Sequence, residues 1–426
     1  MTLSLRPYQE AGRDFLAGSE AALLADDMRL GKCAQSISAA RKIGATLLTV
    51  VCPASVCETW RREFRKWWPG GDYDLQVWSY DMAARGKAHR WTGIDILILD
   101  EAHYLKSSKA KRTQAIFGKK CDGADGLVAQ ADRVWLLTGT PMPNNPSELW
   151  PMLRALAPER ILSPRTGKPW NLWQFVNKFC KTEYNPHAPQ TPRIIGAKNH
   201  DALAVKLDGF MLRRTMAEVK PEVPPLQVEP LYLEGALPKF AACSPEIEVV
   251  RKALAEDGVD GLRKVAAHVA TLRRYTGLAK VEPVVRWVKD WLDGGGRKIV
   301  LMAQHVDVIA GLCEAFPSDH ALIRGSGTSR GRQASVDAFH TPGGPRVFIG
   351  QLQAAGTGID LSAARDVLFV ESSWVPAENA QAANRIVSVQ DPQPRIATFA
   401  TLAGSIDEDI QEAVRRKTAD ILRIVG

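Results

Sequence analysis

Long apolar runs are missing from this sequence. No stretch approaches the roughly 20 residues that a membrane-spanning helix needs, so no membrane partner is expected. Cysteine is sparse, seven in 426 residues, and no two form a Cys-x-x-Cys pair. Cys52 and Cys57 are the nearest neighbours, and without a second ligand pair they do not make a zinc site. The expectation is free thiols in a reducing compartment, with Cys180, Cys243 and Cys313 as packing residues. The opening Met1-Thr2-Leu3-Ser4-Leu5-Arg6-Pro7 lacks the basic-then-apolar layout of a secretory signal. No short-period repeat and no low-complexity tail is found. What is present is a modest cationic excess, 55 Lys and Arg against 47 Asp and Glu, which favours a polyanionic partner. Basic clusters at Arg61-Arg62 with Arg65-Lys66, at Lys109 with Lys111-Arg112, at Arg213-Arg214 and at Arg273-Arg274 stand beside Trp60, Trp67, Trp68 and Tyr275. Singly such clusters are solvated helix faces; repeated through both halves they suit a phosphate track with aromatic faces for stacking.

Hydrophobic periodicity divides the chain into alternating strands and helices. Strands are expected over 21–24, 45–51, 75–78, 94–99 and 133–138, with helices over 33–42, 56–67 and 108–117. Such alternation implies a parallel, doubly wound sheet. From about 147 to 212 the strand signal fades and Trp, Phe and Leu recur at helical intervals, so a helical insert is expected, with Trp170 and Trp173 read as its core. Lys220-Pro221-Glu222-Val223-Pro224-Pro225 reads as a stiff hinge. A helical connector over 231–279 precedes a second alternation: strands over 299–302, 321–323, 347–349, 367–370 and 396–399, helices over 281–292, 306–316, 330–339 and 377–385, and a terminal helix from about 406. The expected domains are thus 1–219, a hinge 220–230, a connector 231–279 and a second lobe 280–426.

The junction Leu99-Asp100-Glu101-Ala102-His103 carries the chemistry. Two adjacent carboxylates at the C-terminal edge of a buried strand are costly without a charge to meet. In nucleoside-triphosphatases that charge is magnesium, held by the first acid, while the second accepts a proton from the attacking water. Upstream, the strand at 21–24 leads through a loop to Gly31-Lys32. A helix start there would set backbone amides and one ammonium on the β- and γ-phosphates. Each half is a weak signal alone. Both fall at strand C-termini, where open α/β sheets bind ligands.

With those residues in view, the chain resembles the Swi/Snf-related branch of superfamily 2 helicase-like ATPases over nearly its full length. Leu5-Arg6-Pro7-Tyr8-Gln9 is similar to that family's opening signature, whose glutamine reads adenine. Loop 25–33 is similar to its phosphate loop and Asp100–His103 to its Asp-Glu-Ala-His box. Val51-Cys52-Pro53-Ala54-Ser55, Ser79-Tyr80-Asp81 and Leu137-Thr138-Gly139-Thr140-Pro141 resemble motifs that contact the DNA backbone or couple it to the nucleotide. Phe210-Met211-Leu212-Arg213-Arg214 resembles the signature that closes the first lobe. In the second half, Arg324-Gly325-Ser326 with Arg332, the run 355–361, and Trp374-Val375-Pro376 with Gln381–Arg385 resemble further motifs. The stretch 272–280 is nearest the annealing-helicase branch. The resemblance implies two RecA-like lobes with helical inserts closing on ATP and Mg2+, and DNA-stimulated hydrolysis that moves the protein along double-stranded DNA, forked or branched forms included.

Carried over residue by residue, the resemblance makes Lys32, Asp100, Glu101 and Arg385 catalytic. It assigns Gln9, Arg29, Gly31, Cys33, Gly358, Asp360 and Gln381 to the nucleotide beside Lys32 and Arg385. Asp100 takes the metal, with Cys33 a doubtful ligand. Pro53, Ser55, Ser79, Tyr80, Thr138, Gly139, Thr140, Gly356 and Thr357 fall to DNA. Three positions depart from the pattern. The hydroxyl after the loop lysine is Cys33, a soft thiol where a hard cation wants oxygen. A loop glycine is Arg29, and a second arginine is Ser388. Slowed hydrolysis is expected, with Arg29 or Arg395 as partial substitutes; the alternative is an ATP-gated DNA clamp with little or no turnover. With no accessory module visible, a prokaryotic or viral protein of the host cytoplasm is expected.

Overall fold

The computed structural model describes residues 3–86, 93–143, 145–184, 192–234, 245–257, 265–325, 327–356, 358–373, 375–403, 405, 407–408, 411–412 and 414–415. The chain divides into two compact units, Met1–Val219 and Lys220–Gly426.

The first unit contains β1 (Ala21–Leu24), β2 (Leu47–Cys52), β3 (Asp74–Ser79), β4 (Ile94–Asp100), β5 (Ala131–Leu137), β6 (Cys180–Glu183), β7 (Arg193–Ala197) and β8 (Met211–Leu212). Six of these form one wholly parallel sheet in the order β3-β2-β4-β5-β1-β8. Successive side chains leave a strand on opposite faces. On β4, Leu97 and Leu99 accordingly enter one apolar cluster with Leu23 and Leu136, while Ile96 and Ile98 enter another with Leu24 and Trp135. A sheet buried on both faces is the reason the strands read as unbroken apolar runs. The insert is not wholly helical. Helices Trp150–Leu156, Leu172–Phe179 and His200–Leu207 are joined by the antiparallel pair β6–β7. Trp170 packs against the first cluster and against Phe179 at 5.9 Å, but Trp173 is 41% exposed and is no core residue.

The second unit repeats the plan with β9 (Gln227–Leu233), β10 (Ile299–Ala303), β11 (His320–Ile323), β12 (Val347–Gln351), β13 (Asp366–Phe369) and β14 (Ile396–Leu402). Its sheet is parallel throughout, in the order β11-β12-β10-β13-β14-β9. Val300, Met302 and Phe348 face one cluster; Leu301, Ile349 and Leu368 face the other. The stretch expected as hinge and connector holds an unforeseen edge strand, β9. Pro230 is tolerated there because an edge strand can spare a ladder donor. Helix Ala266–Asp293 extends the expected helix by some four turns. The terminal helix expected from 406 falls mostly outside the described residues.

Candidate nucleotide and nucleic-acid site

Loop 25–31 carries the chain from β1 into helix Lys32–Lys42. It turns through two left-handed residues, Arg29 (φ 70°) and Gly31 (φ 79°). Glycine is needed at 31, because a Cβ there would collide with Gln9 Nε2. Gln9 itself donates to Leu30 O at 3.2 Å and accepts from Arg6 N at 2.9 Å, which holds its amide against the loop. No side chain caps the start of helix Lys32–Lys42, so its first amides and positive dipole end suit an anion. Lys32 Nζ folds over the loop, donating to Asp26 O at 2.7 Å and Asp27 O at 3.0 Å.

The loop is braced from 188 residues away. Because β8 pairs beside β1 with Leu24 opposite Leu212, the residues two beyond each strand meet. Arg214 donates to Asp26 from Nε at 2.9 Å and from Nη2 at 2.5 Å, and to Gln35 Oε1 at 2.8 Å. Asp26 is fully buried and takes a further bond from Gln35 at 3.0 Å. Asp27 accepts from Met216 N at 2.8 Å and pairs with Arg213 at 3.4 Å. Arg213 and Arg214 therefore brace the phosphate loop, and the expectation of a phosphate track is corrected there. Arg273 is likewise held internally, buried and donating to Ser372 O, whereas Arg274 is exposed and paired with Asp307 at 2.6 Å. Arg61 and Arg65 pair with Glu58, Lys66 with Glu63, and Arg112 donates to Tyr104 O at 2.7 Å.

At the end of β4, Asp100 Oδ1 accepts from Glu101 N at 2.9 Å and Oδ2 from Trp60 Nε1 at 2.7 Å. Trp60 is buried, so it holds the acid and offers no face to a base. Burial, then the adjacent Glu101 charge, lifts the Asp100 pKa to about 6, against the Trp60 bond and the nearby Lys32 ammonium. Glu101 takes a left-handed backbone (φ 52°), with Oε2 3.3 Å from His103 Nδ1. His103 also meets Thr138 Oγ1 at 3.0 Å, and Thr138 accepts from Thr140 N at 3.1 Å. Gly139 lies against the phosphate loop: a Cβ there would stand 3.1 Å from Met28 Cγ and 3.6 Å from Lys32 Nζ. The acidic box, the Thr-Gly-Thr turn and the phosphate loop thus form one connected edge, in the sheet order β4-β5-β1.

Burial raises the Cys33 pKa well above the usual thiol value, with the Asp100 charge adding to it, so Cys33 is a neutral thiol and a poor magnesium ligand. Asp100 fits the metal. Mg2+ bound through one carboxylate keeps waters and substrate phosphates as its other ligands, and no cluster of three or more His, Cys, Asp or Glu occurs among the described residues.

The residues expected on DNA divide. Pro53 and Ser55 lie on the turn after β2. Ser79 caps helix Tyr80–Ala84, accepting from Met82 N at 3.2 Å, and Tyr80 is buried with its hydroxyl donating to Asp100 O at 2.8 Å. Those two hydroxyls, and that of Thr138, are held internally and are not offered to a phosphate. In the second unit Arg385 Nε donates to Gly356 O at 3.0 Å, and Leu361 N donates to Arg385 O at 3.0 Å, tying the segments together. Gly358 is left-handed (φ 71°), and Asp360 Oδ1 accepts from Ser362 N at 2.9 Å. The Gln381 Nε2 is buried with no hydrogen-bond partner among the described residues. Thr357 lies outside them. Arg395 does not stand in for the missing arginine. It is buried, donating to Ile386 O at 2.9 Å and Gln393 O at 2.6 Å and pairing with Asp391 at 2.9 Å, so it fastens its own loop. Ser388 Oγ accepts from Gln390 N at 3.2 Å within a turn.

The SNF2-related domain family matches residues 8–92 and 70–235, more than half of the chain. The chain belongs to the SNF2-related family of helicase-like ATPases. The helicase conserved C-terminal domain matches residues 280–390. Among curated relatives, the SWI/SNF-related matrix-associated actin-dependent regulator of chromatin subfamily A-like protein 1 of Xenopus tropicalis is 28% identical over 97% of this chain and 44% of its own length. The human DNA annealing helicase and endonuclease ZRANB3 is 28% identical over 89% of this chain and 36% of its own. The chain thus spans less than half the length of these relatives. A Sulfolobus solfataricus SWI2/SNF2 ATPase core in complex with dsDNA aligns at a TM-score of 0.43 and 20% identity, covering 100% of this chain and 96% of that one. The expectation of a prokaryotic or viral cytoplasmic setting is corrected by the curated relatives, which come from frog, cattle, worm, fly and human and include named chromatin regulators. That expectation rested on missing segments, and a missing segment carries no information about compartment.

Proposed function

We propose that this chain is a DNA-stimulated ATPase that translocates on double-stranded DNA, with slow turnover. The observation that carries the reading is the uncapped helix start at Gly31-Lys32 on the same sheet edge as Asp100 and Glu101. Lys32 and the helix amides bind the phosphates, Gln9 stands where adenine is read, and Glu101 takes a proton from water. Asp100 would hold Mg2+, which neutralises phosphate charge when bound. Arg385 is assigned to nucleotide by family resemblance alone. The relatives' printed names, chromatin regulator and DNA annealing helicase, support DNA as the substrate, and duplex DNA, forked or branched forms included, is part of the proposal.

Slow turnover follows from three residues. Cys33 offers no hard oxygen ligand. Ser388 lies in a turn, and Arg395 is spent on its own loop. Those same observations favour the second reading, a DNA clamp that binds ATP without cycling. Phosphate release measured with no DNA, single strands, duplex and forks separates the two. The motor gives release above a Glu101→Gln control that rises with duplex and displaces a triplex-forming strand. The clamp binds ATP and DNA with release no higher than that control. Cys33→Thr, which restores a hydroxyl, is expected to raise turnover severalfold in the motor.

A further inference from the structure

We propose that Cys52 and Cys57 form a redox-modification site, a dithiol that hydrogen peroxide converts to a reversible intramolecular disulfide. β2 ends at Cys52 and helix Cys57–Trp67 begins at Cys57, with Pro53 and the turn Ala54–Val56 between them. This short loop returns the two sulfurs to 3.6 Å from each other. Closing to a bond of about 2.05 Å requires an approach of roughly 1.5 Å. The two thiols have unequal access. Cys52 is fully buried, whereas Cys57 is half-buried and meets an oxidant first.

Cys57 is also the better nucleophile. It is the first residue of an eleven-residue helix, where the positive dipole end favours a thiolate. Its pKa is lowered, first by the hydrogen bond from Cys52 and further by Arg61 one turn along. Burial raises the pKa of Cys33, Cys121 and Cys180, which disfavours reaction at those three thiols, and Cys243 lies outside the described residues. In the first step the Cys57 thiolate attacks one peroxide oxygen. The S–O bond forms, the O–O bond breaks, and hydroxide leaves to become water, giving a sulfenic acid. The Cys52 thiol then attacks that sulfur. The S–S bond forms, the S–O bond breaks, and hydroxide departs with the Cys52 proton as water. The two sulfurs lose two electrons in all, and one peroxide is reduced to two waters. The bond would staple the helix start to the end of β2 and fix the loop carrying Pro53 and Ser55. It is independent of whether the chain turns over ATP.

The tryptic peptide 43–61 contains these two cysteines and no other. The folded chain is treated with dilute peroxide, its remaining thiols are alkylated after unfolding, and this peptide is weighed. The expected peptide is lighter by two hydrogens and carries no alkyl group. Dithiothreitol before alkylation restores two alkyl groups. In Cys52→Ser the oxidised Cys57 should be trapped by a 1,3-dione as a sulfenic acid, and in Cys57→Ser the Cys52 thiol should be alkylated in full. A peptide alkylated at both positions after peroxide, or one with Cys57 carried to sulfinic acid beside an alkylated Cys52, overturns the proposal.

Discussion

The two units lead a chain into a helix at the carboxyl edge of a parallel sheet in different ways. In the first unit, helix Lys32–Lys42 begins after Gly31 with no side-chain cap, and the Lys32 ammonium folds over the loop before it. In the second, helix Val306–Ala315 follows β10 and likewise has no side-chain cap, but the protein supplies an anion to the two residues just before it. Glu371 Oε2 accepts from Gln304 N at 2.8 Å and His305 N at 2.9 Å, while Oε1 lies 2.6 Å from His305 Nδ1. Burial pushes the Glu371 pKa up, but the His305 side chain and the two amides outweigh it and hold the carboxyl below its ordinary value. One architecture thus yields a helix start with no side-chain cap and a helix entry whose preceding amides are served by Glu371. The difference teaches that the sheet edge alone does not make a nucleotide site; a buried carboxylate can already occupy the amides of the loop that leads into the helix.

That contrast can be broken from either side. Lys32→Ala should have the largest effect, cutting turnover by about 10²–10³ because it removes a preorganised cation from the phosphates; steady-state phosphate release checks it. Glu371→Ala leaves two amides and a histidine without their acceptor in a buried setting. It should cost the second unit about 3 kcal/mol, read as faster hydrogen exchange in β10 and helix Val306–Ala315, with ATP affinity unchanged. A loss of ATP affinity on that change would show that the second helix entry serves the nucleotide after all.

Acidity should separate the two helix entries. A carboxyl whose pKa is raised on folding favours the folded state when protonated, and for Asp100 this advantage fades as pH rises from 3.8 to about 6. Its charged form, which the metal needs, is therefore lost on acidification through about 6. Going from pH 7.5 to 5 should weaken Mg·ATP binding about tenfold through Asp100, relative to Asp100→Asn, which lacks that ligand throughout. Glu371 has the opposite sign. Its stabilising role is present above the unfolded value of 4.5 and is lost only as pH falls through its lower folded pKa. The second unit should therefore keep its hydrogen-exchange protection at pH 5. The smallest effect belongs to Arg29→Gly, which relieves a left-handed non-glycine backbone of about 1 kcal/mol and should raise the melting temperature by about 2–4 °C.

Much of the fold was legible because burial on both sheet faces leaves long apolar signatures. The run Ile94–Leu99 is strand β4 almost to the residue. Elements lacking that signature escaped notice. The polar strand Cys180-Lys181-Thr182-Glu183 is exposed along most of its length, and β9 is an edge strand carrying Pro230. At the site, the residues proposed to hold phosphate and metal could be named from spacing and family resemblance. Their supports could not. Arg214 reads as a surface cation until β8 is known to lie beside β1, and Trp60 reads as a stacking face until its indole is found on Asp100. Such partners are fixed by sheet order, which local sequence does not state. Arg395 was misjudged for the same reason, since its loop turns it inward onto Ile386 and Asp391.

The account rests on the first unit's helix start being the seat of ATP. Calorimetric titration of the chain with Mg·ATP, repeated on Lys32→Ala, addresses it most directly. One saturable site in the native chain that disappears in the variant is the predicted result. Binding of equal strength in both would contradict the account.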